Sequence, residues 1–504
     1  MKTRLLFRII ILILSLLVFS IGRVGFAENE EQQDAKDLTR SCRFEKNAAE
    51  MNALYAHDQK LLTACALKEH DVLTVQTKTD VSIGTLFFRF GCFDSTIVIS
   101  QYDSEGSLLK EEAYYADSIC AVYRTEVACQ SVKMKPLMDQ ISICELEIYG
   151  IGTLPKTVPQ MEPAVVRTDF LIVSTHPDDE WLFLGAVYPI YGGQRGLMGT
   201  FAYVTTPSFG RLHEAINSLW KAKMTTMPFF LNFPDVDRAA PQEQKDQFQA
   251  EEITLSLVRL YRRIKPLVVI TQDPVRGEYG HWQHIVSANS ALEAALLAPD
   301  PSYDPESAEM YGTWTVQKVY QHMAEENQML LDVSEPLSTY NGKTALQVAI
   351  EAYRQHVSQQ KYSFFPSMKA DSYGDIRRFG LTYSNVGADT GNDMFEHIDP
   401  NLYAEIVLDA TPTPEPTPEP TQEPTPGSTE EPTKELKLSA EQQTPIPVVT
   451  ERPSTTRSES HSISIPTLIL FGIMAVTIAS TIVLFLNRRN SGNQSDTDQM
   501  EEDE

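Results

Sequence analysis

The sequence predicts an α/β protein in several parts. A Rossmann-like three-layer α/β/α domain is expected at about residues 165–405, after an all-β sandwich or jelly roll with disulfides at about 37–152. A disordered stalk and one transmembrane helix are expected to follow. Three observations carry this reading. Apolar strand-like runs alternate with helical stretches through the middle of the chain, and short alternating runs crowd the segment before it. Beyond Thr411 the composition turns to proline, threonine and glutamate, and an uncharged apolar run comes next.

In chain order, Met1 to Ala27 opens with Lys2 and Arg4, continues as the apolar run Ile9–Phe19, and ends in Gly25 and Ala27 before acidic Glu28–Glu31. This pattern is that of a secretory signal peptide, with an uncleaved anchor as the alternative. All six cysteines (Cys42, Cys65, Cys92, Cys120, Cys129 and Cys144) fall in the next segment. An even number clustered in an exported chain predicts disulfides, with Cys42–Cys144 as the pair that would close the domain's ends. Strand-like runs recur at 71–76, 85–90, 96–100 and 141–150. In the last of these, Cys144, Leu146 and Ile148 share one face and Glu145 and Glu147 the other, as in a half-buried strand. The proline-bearing stretch Leu154–Pro163 is read as a linker.

The middle domain opens with Leu171, Ile172, Val173 and Thr175, a run suited to a strand buried on both faces. It stops at His176-Pro177, because proline cannot donate to a sheet ladder. His176, Asp178, Asp179 and Glu180 follow at once, where α/β folds place their sites. A buried helix is expected over Trp181–Tyr191, up to the break at Gly192-Gly193. Strand 199–205, helix 211–223, strand 229–233, an amphipathic stretch 244–264 and strand 267–271 come next. Residues 282–360 read as mostly helical, most clearly at 344–360. After strand 267–271 lies a second cluster, with His281 and His284 three apart at a helix start, so that both can face one way.

A parallel sheet brings the two clusters to one edge. His176, Asp179 and His284 then make a His/Asp/His set with a position left open for water, the pattern of catalytic rather than structural zinc. Asp178 is left over to act as a base. There is no GxGxxG or GxxxxGK[ST], so nucleotide binding has no support.

HPDDE at one strand end and GEYGHxxH after another resemble the LmbE/PIG-L family of zinc-dependent N-acetylglucosaminyl deacetylases, over about residues 168–400. Further points of resemblance are Arg211-Leu-His-Glu214, Phe229–Asp235 and His356–Gln359. The resemblance implies His176, Asp179 and His284 as zinc ligands and Asp178 as general base. It implies His281 as oxyanion stabiliser and Tyr279 as a mobile partner that polarises the carbonyl. Arg211 is implied as a substrate contact, a helix-surface ion pair being the other reading. Trp282-Gln283 departs from the Pro-Asp of many members, which predicts an altered pocket shape and no lost chemistry. Glu180 is read as structural, and Trp181 and Trp282 as wall or core. ISICELEIYG, residues 141–150, is similar to the last strand of discoidin-like (galactose-binding-like) domains, which implies glycan binding, with a plain spacer as the alternative.

The stalk, about 411–461, is too polar to bury a core and should be extended. Ile465–Leu486 is uncharged and, at ~1.5 Å per residue, spans a bilayer core as a helix. Arg488-Arg489 then place the acidic tail, 487–504, in the cytoplasm and the enzyme outside the plasma membrane. A net charge of −26 argues against nucleic acid and favours a neutral N-acetylated glycan partner. The competing expectations are a membrane-anchored glycan-binding protein and a zinc amidase with a different amide substrate.

Overall fold

The computed structural model describes residues 34–93, 95–116, 118–137, 140–370, 372–399 and Leu402. The expected leader, stalk, transmembrane helix and tail lie outside them. Among the described residues no helix is long and apolar enough to cross a membrane.

The first domain consists of two antiparallel sheets. One runs β1 (Cys42–Lys46), β3 (Leu73–Thr77), β8 (Ser131–Pro136), β5 (Ser95–Tyr102) and β6 (Leu108–Ala116). The other runs β2 (Cys65–Leu67), β9 (Ile141–Tyr149), β4 (Ile83–Phe90) and β7 (Cys120–Cys129). Val75, Ile99 and Met134 from the first sheet and Phe88, Ile143 and Leu146 from the second are fully buried in one core. Glu145 departs from the simple alternation read for β9. It is buried, accepts the Gln59 N–H at 2.9 Å, and burial pushes its carboxyl up to about 8.

The expected disulfides are not formed, and all six cysteines carry free thiols. Cys65 Sγ meets the Asn52 carbonyl at 3.6 Å, and the Cys120 and Cys129 sulfurs meet the Pro159 and Ile83 carbonyls at 3.9 Å. Cys144 packs beside Gly91 and does not join Cys42. The five buried thiols fill space as small apolar groups, and the partly buried Cys92 sulfur lies 3.2 Å from the Ser95 hydroxyl. Burial raises the Cys120, Cys129 and Cys144 thiols to about 11.

The second domain is built on a seven-stranded sheet of order β12 (Phe229–Phe233), β11 (Gly199–Thr205), β10 (Phe170–Ser174), β13 (Val268–Thr271), β14 (Lys318–His322), β18 (Arg378–Ser384), β15 (Gln328–Leu330). The strands from β12 to β14 are parallel, and β18 and β15 extend the sheet antiparallel. A small ribbon, β16 (Pro336–Leu337) with β17 (Lys343–Thr344), lies apart. The chain steps from β10 to β11 to β12 in one direction and then returns to β13 on the other side of β10. With right-handed crossovers, that reversal sends successive helices to opposite faces. Helices Phe209–Lys221 and Ala345–Tyr353 accordingly pack as one pair, and Ala250–Ile264 and Trp282–Leu297 as another. The reversal also opens a crevice beyond the carboxyl ends of β10 and β13.

Two expectations change here. Trp181–Tyr191 is largely buried, but only Asp179–Leu182 is α-helical; turns follow through Gly185, where an added Cβ would stand 2.8 Å from Ala349, and a π-helix then runs over Tyr188–Gln194, with Pro189 in its first turn and the expected break at Gly192-Gly193 inside it. Residues 282–360 are not mostly helical, since β14 and β15 fall inside them. The sequence of β14 is KVYQH, yet all five residues are buried. Its polar groups are individually satisfied: Lys318 by Asp389 at 2.5 Å, Gln321 by the Ala288 carbonyl at 2.8 Å, His322 by Glu278 at 3.1 Å.

The two domains meet closely. An added Cβ on Gly210 would lie 2.3 Å from the Leu61 carbonyl oxygen, so only glycine lets the helix Phe209–Lys221 start there. His213 on that helix hydrogen-bonds the Phe90 carbonyl at 2.8 Å, and Leu212 and Ile216 share a core with Phe87 and Ile119.

Candidate functional site

The loops after β10 and β13 are stapled together where they leave the sheet. The Thr175 N–H donates to Gln272 Oε1 at 2.8 Å, and its hydroxyl donates to the same oxygen. From there the chain turns sharply. Asp178 adopts φ +126°, a conformation that costs a non-glycine residue on the order of 1–3 kcal/mol. Glu180 compensates by accepting the Asp178 N–H at 2.6 Å, and is held in turn by His356 at 2.8 Å and the Ser218 hydroxyl at 3.2 Å. Glu180 thus has the structural role read for it.

Three donor atoms converge in the crevice. His176 Nδ1 is 2.9 Å from Asp179 Oδ2, His284 Nε2 is 3.2 Å from the same oxygen, and the two nitrogens are 3.2 Å apart. Ligands about 2.0–2.2 Å from a tetrahedral zinc ion stand roughly 3.3–3.6 Å from one another, so this triangle, with edges of 2.9–3.2 Å, would need to open by only a few tenths of an ångström to hold the ion. The three histidines, His176, His281 and His284, also gather within 4.8 Å. Asp179 is the better third corner, because it touches both nitrogens directly. His281 instead caps the helix Trp282–Leu297, its Nδ1 accepting the Gln283 N–H at 3.3 Å. That bond leaves the proton of the neutral ring on Nε2. Burial, with His176 and His284 adding to it, lowers His281 to about 3.

Each of the other two histidines is oriented from behind. His284 Nδ1 lies 2.6 Å from Glu278 Oε2, whose other oxygen is 3.1 Å from His322 Nδ1 and accepts the Asp273 N–H at 2.8 Å. His176 Nε2 lies 3.2 Å from Gln283 Oε1 and 3.5 Å from Asp235. Burial opposes a proton on His284, but the Asp179 and Glu278 carboxylates raise it to about 10, the same attraction a cation would meet.

Asp178 sits beside the triangle. Its Oδ1 accepts from Arg211 at 2.8 Å, and Arg211 also donates to the Pro177 carbonyl at 2.6 Å. Burial pushes the Asp178 carboxyl up to about 7, against the pull of Arg211. Arg211 is therefore placed on Asp178 and the turn. Tyr279 lies among aromatic rings, stacked on Phe364 at 5.3 Å and edge-on to His284 at 5.5 Å, with burial raising its hydroxyl. Trp181 is fully buried and donates to Ser218 at 2.7 Å; Trp282 is partly buried against Phe248.

The sequence reading assigned no role to Glu278, Gln283, Asp235 or His322. Glu278 lies inside GEYGH and Asp235 inside FFLNFPD, so their motifs carried a signal. Gln283 occupies a departure position read as shaping the pocket only, yet it touches a ring of the triangle. Nothing local marks His322.

No protein-family model matches the chain. Over 197 residues it is 41% identical to a 1D-myo-inositol 2-acetamido-2-deoxy-alpha-D-glucopyranoside deacetylase of Streptomyces scabiei, covering 33% of this chain and 60% of that one. The chain spans about three fifths of the length of such curated relatives. Among solved structures, an N,N'-diacetylchitobiose deacetylase from Pyrococcus horikoshii aligns with 38% of this chain and 70% of its own at 16% identity and TM-score 0.30. A family 32 CBM from C. perfringens NanJ, in complex with galactose, aligns with 23% of this chain and 98% of its own at 14% identity and TM-score 0.20.

Proposed function

We propose that this chain is a zinc-dependent deacetylase that removes the N-acetyl group from N-acetylglucosamine-containing glycans or glycoconjugates. The observation that carries the reading is the His176–Asp179–His284 triangle with the Asp178 carboxyl beside it. Similarity to curated deacetylases that act on an acetamido sugar supports the same reaction class. A zinc ion held by His176, Asp179 and His284 would activate water and polarise the acetamide carbonyl. Asp178, aimed by Arg211, takes the proton of the attacking water and passes it to the departing amine, leaving acetate and a free amino sugar. His281 donates its Nε2–H to the oxygen that gains charge. Tyr279 assists from the aromatic wall.

The reading extends to the rest of the chain. The leader exports it, the apolar run Ile465–Leu486 anchors it in the plasma membrane, and the stalk holds the enzyme outside. The β domain serves as a glycan-binding partner to the catalytic one.

The test is acetate release by the full chain, supplied with zinc, from a panel of N-acetylglucosamine conjugates, with His284→Ala as control. Release that vanishes in the control is expected. Stoichiometric zinc with no release from any conjugate would redirect the reading to another amide, and no zinc uptake would end it.

A further inference from the structure

A cavity of about 820 Å³ lies not at the histidine triangle but at the seam between the two domains. Two sheet edges border it, since β7 ends the four-stranded sheet and β12 ends the seven-stranded one. Half-buried rings of Phe93, Phe229 and Phe230 lie along it, with Phe230 stacked on Tyr203 at 5.7 Å and so fixed in place.

Two exposed arginines stand at its wall. Arg124 donates to the Gln160 side chain at 3.2 Å, and the Arg263 guanidinium lies over Phe229 at 5.7 Å. Among the described residues neither arginine has a carboxylate within ion-pair distance. Glu162 also lines the cleft, leaving the arginines in local excess in a chain whose net charge is −26. Flat apolar rings beside amides and unpaired guanidinium groups suit a sugar that carries carboxylates.

The segment that leaves β12 borders both the cleft and the candidate site. Asn232 lines the cleft, and three residues further on Asp235 stands 3.5 Å from His176 Nε2. Three extended residues reach at most about 10 Å. A ligand occupying both places is therefore a chain and not a single sugar.

We propose that this cleft is a second glycan subsite, selective for a carboxylate-bearing stretch of the polymer whose N-acetylglucosamine units are presented to the triangle. It rests on the deacetylase reading for the identity of that polymer, and it refines the expectation of a neutral partner, since the cleft's charge is opposite to that of the chain as a whole.

The test is binding by full-length protein treated with chelator, so that no turnover is involved. The probes are a hyaluronan hexasaccharide, in which glucuronate alternates with N-acetylglucosamine, and a neutral N-acetylglucosamine hexamer. The acidic sugar should bind more tightly, weaken with added salt, and weaken by at least about tenfold in the Arg124→Ala/Arg263→Ala double variant. The corresponding double lysine variant keeps both charges and should retain most of the binding. Equal binding of the two sugars, indifference to the alanine variant, or loss in the lysine variant would each overturn the proposal. Failure here leaves acetate release from small conjugates untouched, and absence of acetate release leaves this binding measurable.

Discussion

The two loops that meet in the crevice hold their histidines by different means. Behind His284 stands a buried carboxylate, Glu278, itself gripped by His322 and a backbone N–H. Behind His176 stands a neutral amide, Gln283, which also donates to the Pro234 carbonyl at 3.0 Å and accepts the Val236 N–H at 3.2 Å. A carboxylate makes its imidazole a stronger electron donor, whereas an amide fixes only the ring's direction and tautomer. The difference lies in the backing groups and not in the loops' own charge: both Glu278 and Gln283 come from the segment after β13, while the loop after β10 supplies the carboxylates Asp178 and Asp179.

That contrast can be broken at several strengths. Asp178→Asn should cost on the order of 10²–10⁴-fold in turnover while bound zinc, measured by atomic absorption, stays stoichiometric. Loss of zinc with it would put Asp178 in the ligand set. Glu278→Gln should weaken zinc by roughly 10–100-fold in a chelator competition. Gln283→Ala should cost less than about tenfold by the same assay, because an amide contributes orientation without charge. Equal losses at the two positions would erase the distinction between the two backing groups. The smallest expected effect is in the pH profile. A base raised to about 7 is ionised only above that value, so activity should fall as pH drops through 7. Arg211 pulls that carboxyl down, so Arg211→Ala should shift the acid limb to higher pH.

Much of the second domain was legible because β10, β11 and β13 are buried on both faces and read as largely apolar runs. The runs 199–205 and 229–233 match β11 and β12 to the residue. The triangle was legible for a related reason: four ionisable groups directly after a buried strand have few structural uses. What stayed hidden depended on partners distant in sequence. β14 looked unlike a strand because Lys318, Gln321 and His322 find Asp389, Ala288 and Glu278 only after folding. Glu145 appeared to be a solvent-facing residue because the segment around Gln59 that covers it lies 86 positions away. The cysteines misled for the opposite reason, since spacing and compartment say nothing of whether two sulfurs approach.

The closeness of Gly210 to Leu61 bears on how this protein can be cut, swapped or evolved. The helix that begins at that contact carries Arg211, and Arg211 grips Asp178. Removing the β domain would strip cover from Phe209, Leu212 and Ile216 and leave His213 without its carbonyl. The β domain is therefore not a cargo module that recombination could trade for another, because part of the wall that aims the candidate base is built from it.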